Sequence, residues 1–255
     1  MPVAKMKPSG APNRATTVAL PAASPVSDVS RGWKIAIVAA ATCALVVKLF
    51  LALKTIGTND VTTFHHFLVW WRYLGTVGLY RADSGFNHPP SMLYVLRLFG
   101  WLESSTSLPF AFWLRVPAIL ADAGSLWIVW QLLRPRLQER QIRWAVLLLA
   151  IAPPLILISG FHGNTDPVMI LFLLWSIYLI EKGKSACVSG ALFGCALCIK
   201  VVPVIAIPAV FLYQRNWRTR VQYFAAAAAV VLISWSPFIF HLNYAQNDPR
   251  SAWFV

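Results

Sequence analysis

The chain has 255 residues, of which 58% are hydrophobic and only 12% charged, and its formal net charge is +13. Soluble domains carry about 25% charged residues, so this composition, with a mean hydropathy of +0.62, excludes a soluble domain. The basic residues lie between apolar runs instead of forming one patch, which fits the cytoplasmic Lys/Arg bias of membrane proteins and argues against a nucleic-acid partner.

Residues 1–31 are rich in Ala, Pro, Ser and Val and carry Lys5, Lys7, Arg14 and Arg31. They read as a disordered basic cytoplasmic tail ahead of a membrane module over 32–255. A signal peptide would set its apolar stretch nearer the start and end it in small residues. Here the first apolar run continues into LFLALKTIGTND, so an uncleaved span is expected over 34–54. In VTTFHHFLVWWRYLGTVGLY, residues 61–80, Phe64, Phe67, Leu68, Trp71 and Leu74 follow helical spacing beside Arg72 and two adjacent tryptophans. Such a helix suits the membrane surface. The turn-rich RADSGFNHPP follows. SMLYVLRLFGWLE, residues 91–103, contains Arg97 and falls short of the roughly 20 residues a span needs, so it is expected to be re-entrant or interfacial.

Clear spans are expected over 110–133, 144–159, 166–180 and 220–240. Residues 185–213 could cross once, but Lys200 and Pro203 interrupt them. Proline breaks or kinks a helix, and the segment is expected to form a short helical hairpin with Lys200 near its tip. Cys195 and Cys198 form a C-x-x-C within ALFGCALCIK. Small residues let membrane helices pack closely, and packing is preferred here to redox chemistry or metal binding.

The fold class is therefore all-α and polytopic. Arg134, Arg136, Arg140 and Arg143 share one loop, Lys182 and Lys184 another, and Arg215, Arg218 and Arg220 a third. The Lys/Arg bias places all three, with the tail, in the cytoplasm. That requires that 91–103 does not cross and that 185–213 goes in and comes back. Segments 55–109 and 159–166 and the C-terminal stretch then face the other side. All five histidines (His65, His66, His88, His162, His241) fall there, with Asp60, Asp83, Glu103, Asp166 and Asp248.

Several residues on that face could carry chemistry. Asp60, just after the first span, could be a general base, a metal ligand or an interfacial helix cap. In NHPP, two prolines would hold His88 rigidly, or simply make a re-entry turn. His65 and His66 are adjacent on a helix and point apart. FHGNTD sets His162, Asn164 and Asp166 in one loop, where Asp166 before Pro167 is also ordinary capping chemistry. A lysine inside an apolar segment is a functional candidate by default, which singles out Lys200. Arg115 and Asp122, seven apart in WLRVPAILAD, are expected to pair with each other, unless Arg115 binds an anion.

Taken in order, GTND, FNHPP, RVPAILAD, HGNTDP and KVVP resemble the C superfamily of glycosyltransferases (GT-C), over most of residues 33–240. The resemblance implies a GT-C-like helical module with its active site on the periplasmic, extracellular or lumenal side. It implies transfer of a hexose, mannose foremost, from a polyprenyl-phosphate donor to a hydroxyl of a glycan, lipid or protein acceptor. Asp60 would be the catalytic acidic residue of the first outer loop. His88, Arg115, His162, Asn164, Asp166 and Lys200 would bind substrate. Many members pair two acidic residues in that loop, whereas Asn59 precedes Asp60 here, so a divalent metal stays open. Members are also longer, and the chain is expected to be a fragment truncated at its C-terminus or a reduced form. Two rival readings remain. A transporter or flippase for an amphipathic solute would also use Lys200 and broken helices, but such proteins are built from related halves and no internal repeat is visible. A non-catalytic membrane subunit is the other.

Overall fold

A computed structural model of the chain describes residues 30–241, and the architecture among them is all-helical. In chain order the helices are α1 (Arg31–Lys54), α2 (Asn59–Ala82), α3 (Ser91–Ser105), α4 (Phe110–Leu133), α5 (Glu139–Ala150) and α6 (Pro153–Leu157). A π-helical turn (Ile158–His162) leads to α7 (Asp166–Glu181) and α8 (Ala186–Ile199). A 3₁₀ turn (Val202–Ala206), α9 (Ile207–Tyr213) and α10 (Trp217–His241) complete the order. Three stretches, α1, α4 and Glu139–His162, are long and apolar enough to cross a membrane. The protein is an integral, multi-pass membrane protein.

Contacts between distant residues sort the loops into two ends. At one end the Ser30 amide donates to Glu139 Oε1 (3.0 Å), and Trp33 packs edge-on against Trp144. Arg136 pairs with Glu181, and Glu181 and Tyr213 line one small cavity. The start of α1 and the three basic loops therefore gather at this end, as the distribution of Lys and Arg predicts. The Tyr213–Glu181 neighbourhood also shows that the chain returns after Lys200, so α8 and α9 form the expected hairpin.

The opposite end collects the α1–α2 loop, the segment after the π turn, the hairpin tip and the loop 83–90. Ser91 Oγ donates to the Cys198 carbonyl (2.9 Å), and Glu103 Oε1 caps α4 by accepting from the Phe110 amide (2.9 Å). Both ends of α3 thus lie at this end of the bundle, and α3 does not cross. Its buried Leu93, Leu96 and Phe99 pack with Phe64, Phe67 and Leu68 of α2 into one core. The α2–α3 layer so covers this end.

α8 packs closely on α10 because Gly190 and Gly194 face it. A Cβ on Gly190 would collide with the Tyr223 carbonyl, and one on Gly194 would come 2.7 Å from the Ala227 carbonyl. Cys195 and Cys198 share this helix and are free and half-buried, in keeping with the packing role.

The structure departs from the sequence expectations in three places. The expected span 144–159 begins earlier, at Glu139, where Gln138 and Gln141 form a reciprocal capping box. It is then broken at Ile151–Ala152, since Pro153 and Pro154 have no N–H to continue the ladder. α2 is interrupted at Gly75, whose backbone is not helical. Arg115 and Asp122 do not pair. Seven residues along a helix is a separation of about 10.5 Å, and Asp122 instead meets Lys48 of α1 at 2.5 Å. Of the expected tail 1–31, only Ser30 and Arg31 are described, and Arg31 already opens α1. The His241 side chain and Asp248 lie outside the described residues.

Candidate active site

The covered end brings together side chains from four separate segments. Asp60 sits in the first turn of α2, where the helix dipole favours a carboxylate. Its Oδ2 lies 3.3 Å from His162 Nδ1, and both side chains are roughly half-exposed. Thr58 Oγ1 donates to the His162 carbonyl (2.8 Å). His162 reaches this position because the chain leaves α6 through the π turn, a feature frequent at functional sites. The next residue, Gly163, is left-handed (φ 80°). A Cβ there would come 2.5 Å from Val61 Cγ2, so both conformation and space require glycine.

Lys200 ends α8 in an extended conformation. Its Nζ lies 2.5 Å from Asp166 Oδ1 and donates to Asn164 Oδ1 at 3.1 Å. Asn164 organises the pair: Oδ1 also accepts from the Asp166 amide (3.0 Å), and Nδ2 donates to Asp166 Oδ2 (2.8 Å). Asp166, in the first turn of α7, therefore serves both as a helix-start carboxylate and as the lysine's counter-ion. His88 is half-buried ahead of the buried Pro89 and Pro90. Its ring lies 5.1 Å from that of Phe64, and its carbonyl accepts from the Tyr80 hydroxyl. Burial holds the His88 imidazole below its ordinary pKa, against a hydrogen bond to the Ile199 backbone. The charge of Lys200 adds to the depression, and Asp60 and Asp166 oppose it.

Two cavities meet at the lysine. One, of about 420 Å³, is lined by Asp60, Thr63, Asn87, His88, Asn164 and Lys200, with Phe64 and Phe67 beneath. The other, of about 700 Å³, runs between α1, α4, α5, α6 and α7 past Leu45, Ile119, Leu126, Leu155, Ile170 and Leu174. Lys200 and Val202 line both. The ammonium group thus stands where a long apolar cavity opens into a polar one.

Asp60, His88, Asn164 and Lys200 accordingly share one cavity, with His162 bonded to the first and Asp166 to the last. Arg115 is absent from it. Its side chain is fully buried and donates to the carbonyls of Ala52 (3.3 Å), Thr55 (2.9 Å) and Ile56. Where the sequence suggests a bound anion or Asp122, the structure has the backbone at the end of α1. His65 contacts Glu103 at 3.6 Å and His66 meets Trp70 edge-on, and neither lines the cavity. Among the described residues no three His, Cys, Asp or Glu side chains converge as a metal site would require. The sequence reading missed Lys48, buried in α1 and paired with Asp122 in the wall of the apolar cavity. The rule that singled out Lys200, a lysine inside an apolar run, applies equally to LVVKLF.

Residues 86–254 match the family model described as glycosyltransferase family 87. The match takes in FNHPP, the HGNTDP loop and the hairpin, and Asp60 precedes it. No curated protein and no solved structure matches the chain.

Proposed function

We propose that this chain, which belongs to glycosyltransferase family 87, moves a hexose, mannose foremost, from a polyprenyl-phosphate donor to an acceptor hydroxyl. The family is of the GT-C type, whose membrane enzymes use polyprenyl-phosphate sugars. Membership sets the transporter and non-catalytic readings aside. The observation that supports the assignment of parts is the position of Lys200, shared by an apolar cavity and a polar one. A donor of this class has the same layout: an apolar tail, an anionic phosphate and a polyol. The tail would fill the larger cavity, the phosphate would meet Lys200 and Asn164, and the sugar would lie beside His88, Asn87 and Thr63.

In the transfer step the acceptor oxygen attacks the anomeric carbon, and the bond from that carbon to the phosphate oxygen breaks. The bonding pair leaves with the polyprenyl phosphate. Asp60 takes the acceptor's proton as general base, and its contact with His162 at 3.3 Å fixes the carboxylate's orientation. Lys200 offsets the charge that develops on the departing phosphate. A glycan, a lipid or a protein could supply the hydroxyl. The Lys/Arg distribution supports a periplasmic, extracellular or lumenal location for this end.

Purified protein given polyprenyl-phosphate mannose and a membrane extract as acceptor source should release polyprenyl phosphate and form a mannosylated product. Asp60→Asn should abolish transfer while leaving the thermal unfolding midpoint unchanged. A folded Asp60→Asn protein with near-normal turnover removes Asp60 as the base.

A further inference from the structure

We propose that Arg115 and Thr58 form a two-point clamp on the α1–α2 loop, and that this clamp positions Asp60 against His162. The inference rests on the reading of Asp60 as general base. A helix ends with its last carbonyls unpaired, and these are commonly satisfied by water or by a glycine cap. At the end of α1 the Thr55 amide and hydroxyl already bond to the Leu51 carbonyl, and a guanidinium from α4 completes the cap. Arg115 Nη1 donates to the carbonyls of Leu51 (3.4 Å), Ala52 (3.3 Å) and Thr55 (2.9 Å), and Nη2 to that of Ile56. The positive group suits the negative end of the helix dipole. The planar fork of arginine holds its donors in a fixed geometry, which a lysine ammonium, a point charge on a flexible stem, does not reproduce.

Arg115 is fully buried, and no ion pair to it is seen among the described residues. A buried charge without a carboxylate is expensive within a membrane span. An apolar residue could fill that volume at lower cost, so the charge is better explained by what it holds. It holds the loop tightly. Gly57 has a φ of 95°, and a Cβ there would collide with Arg115 Nη2 and come 2.5 Å from the Phe161 carbonyl. The loop is therefore pinned between α4 and the π turn.

Thr58 makes the second point. As the N-cap of α2 its hydroxyl would ordinarily bond to the first turn of its own helix, yet no such bond forms. The hydroxyl is turned outward and donates to the His162 carbonyl at 2.8 Å, with His162 Nδ1 3.3 Å away. Two residues later, Asp60 meets the same ring. Asp60 and His162 belong to different elements. Gly163 packed on Val61 brings the two elements together, and the clamp fixes the loop that carries Asp60 against the ring. Misplacing a reacting group by about 1 Å can cost on the order of a hundredfold in rate. Arg115 and Thr58 are thus positioning residues.

The test uses the full chain in lipid nanodiscs with polyprenyl-phosphate mannose as donor. Arg115→Lys keeps the charge and loses the fork, and Thr58→Val keeps the shape and loses the hydroxyl. Each should lower kcat by about tenfold or more with donor KM within about twofold. Backbone amides of residues 55–60 should exchange hydrogen faster in each, with the rest of the chain unchanged. A folded Arg115→Lys or Thr58→Val protein with wild-type kcat overturns the inference, as does a parallel rise in donor KM. If Arg115→Lys does not fold, Thr58→Val decides by the same two readouts. Turnover retained by Asp60→Asn is a separate result. It removes the base, while faster exchange at 55–60 in Thr58→Val would still report the clamp.

Discussion

Lys200 carries the largest share of the proposed chemistry, and its surroundings separate two roles. Its ammonium touches Asp166 and Asn164, which would be enough for a purely structural lysine. It also lines both cavities, which a structural pair does not require. Lys200→Met should therefore raise the donor KM by about tenfold or more, the weight of one charge-assisted contact, and leave the acceptor KM near wild type. Donor titration and thermal unfolding on the same purified variant check this. Lost stability with unchanged donor affinity would reduce the lysine to a tie between α8 and α7. Sequence alone pointed to Lys200 because charge inside an apolar run stands out. It also grouped Asn164 and Asp166 with it on one face. It assigned Arg115 the wrong partner, since helix periodicity reports which residues share a face and not which neighbouring helix they face. The carbonyls of α1 enter only once α1 and α4 are packed together.

Among the helices, the pair between α1 and α4 sets the sharpest expectation. Lys48 and Asp122 meet at 2.5 Å with little exposure, in the wall of the larger cavity. Removing one partner leaves an uncompensated buried charge, worth about 3–5 kcal/mol, whereas replacing both with apolar residues of similar size is often nearly neutral. Lys48→Met and Asp122→Leu should each lower stability strongly, and the double variant should recover most of the loss. Unfolding midpoints of the two singles and the double, compared as a cycle, measure this. Additive losses would mean that the groups act independently. At this scale the reading from sequence divided along physical lines. The hairpin and the non-crossing α3 were legible, because loop charge constrains how many times a chain can cross. The break ahead of Pro153–Pro154 and the π turn were not, because hydropathy averages over a window and is blind to a single missing hydrogen bond.

For the molecule as a whole, the sorting of loops into two ends is the observation that organises everything else. In a background without native cysteines, Ser84→Cys should react with an impermeant thiol reagent added from outside intact cells. Asn216→Cys should react only after the cytoplasmic side is opened. Both positions are exposed. Reversed labelling would turn the protein over in the membrane and place the cavity that holds Asp60 in the cytoplasm.

The contact between Lys200 and Asp166 has a kinetic consequence under the proposed function. The lysine already has an anion before any lipid arrives, so donor capture is an exchange and not an addition: Asp166 must yield its place to the phosphate. The donor is a phosphodiester with a single negative charge. The spent lipid is a monoester whose second ionisation lies near pH 6, so at neutral pH it carries more charge than the molecule it came from. The same ammonium therefore grips what it must release more firmly than what it must bind. Asp166, tethered beside it by Asn164, competes at high effective concentration and drives the spent carrier out. The cycle thus begins and ends with the same carboxylate, and accumulated carrier lipid becomes an inhibitor whose strength rises with pH.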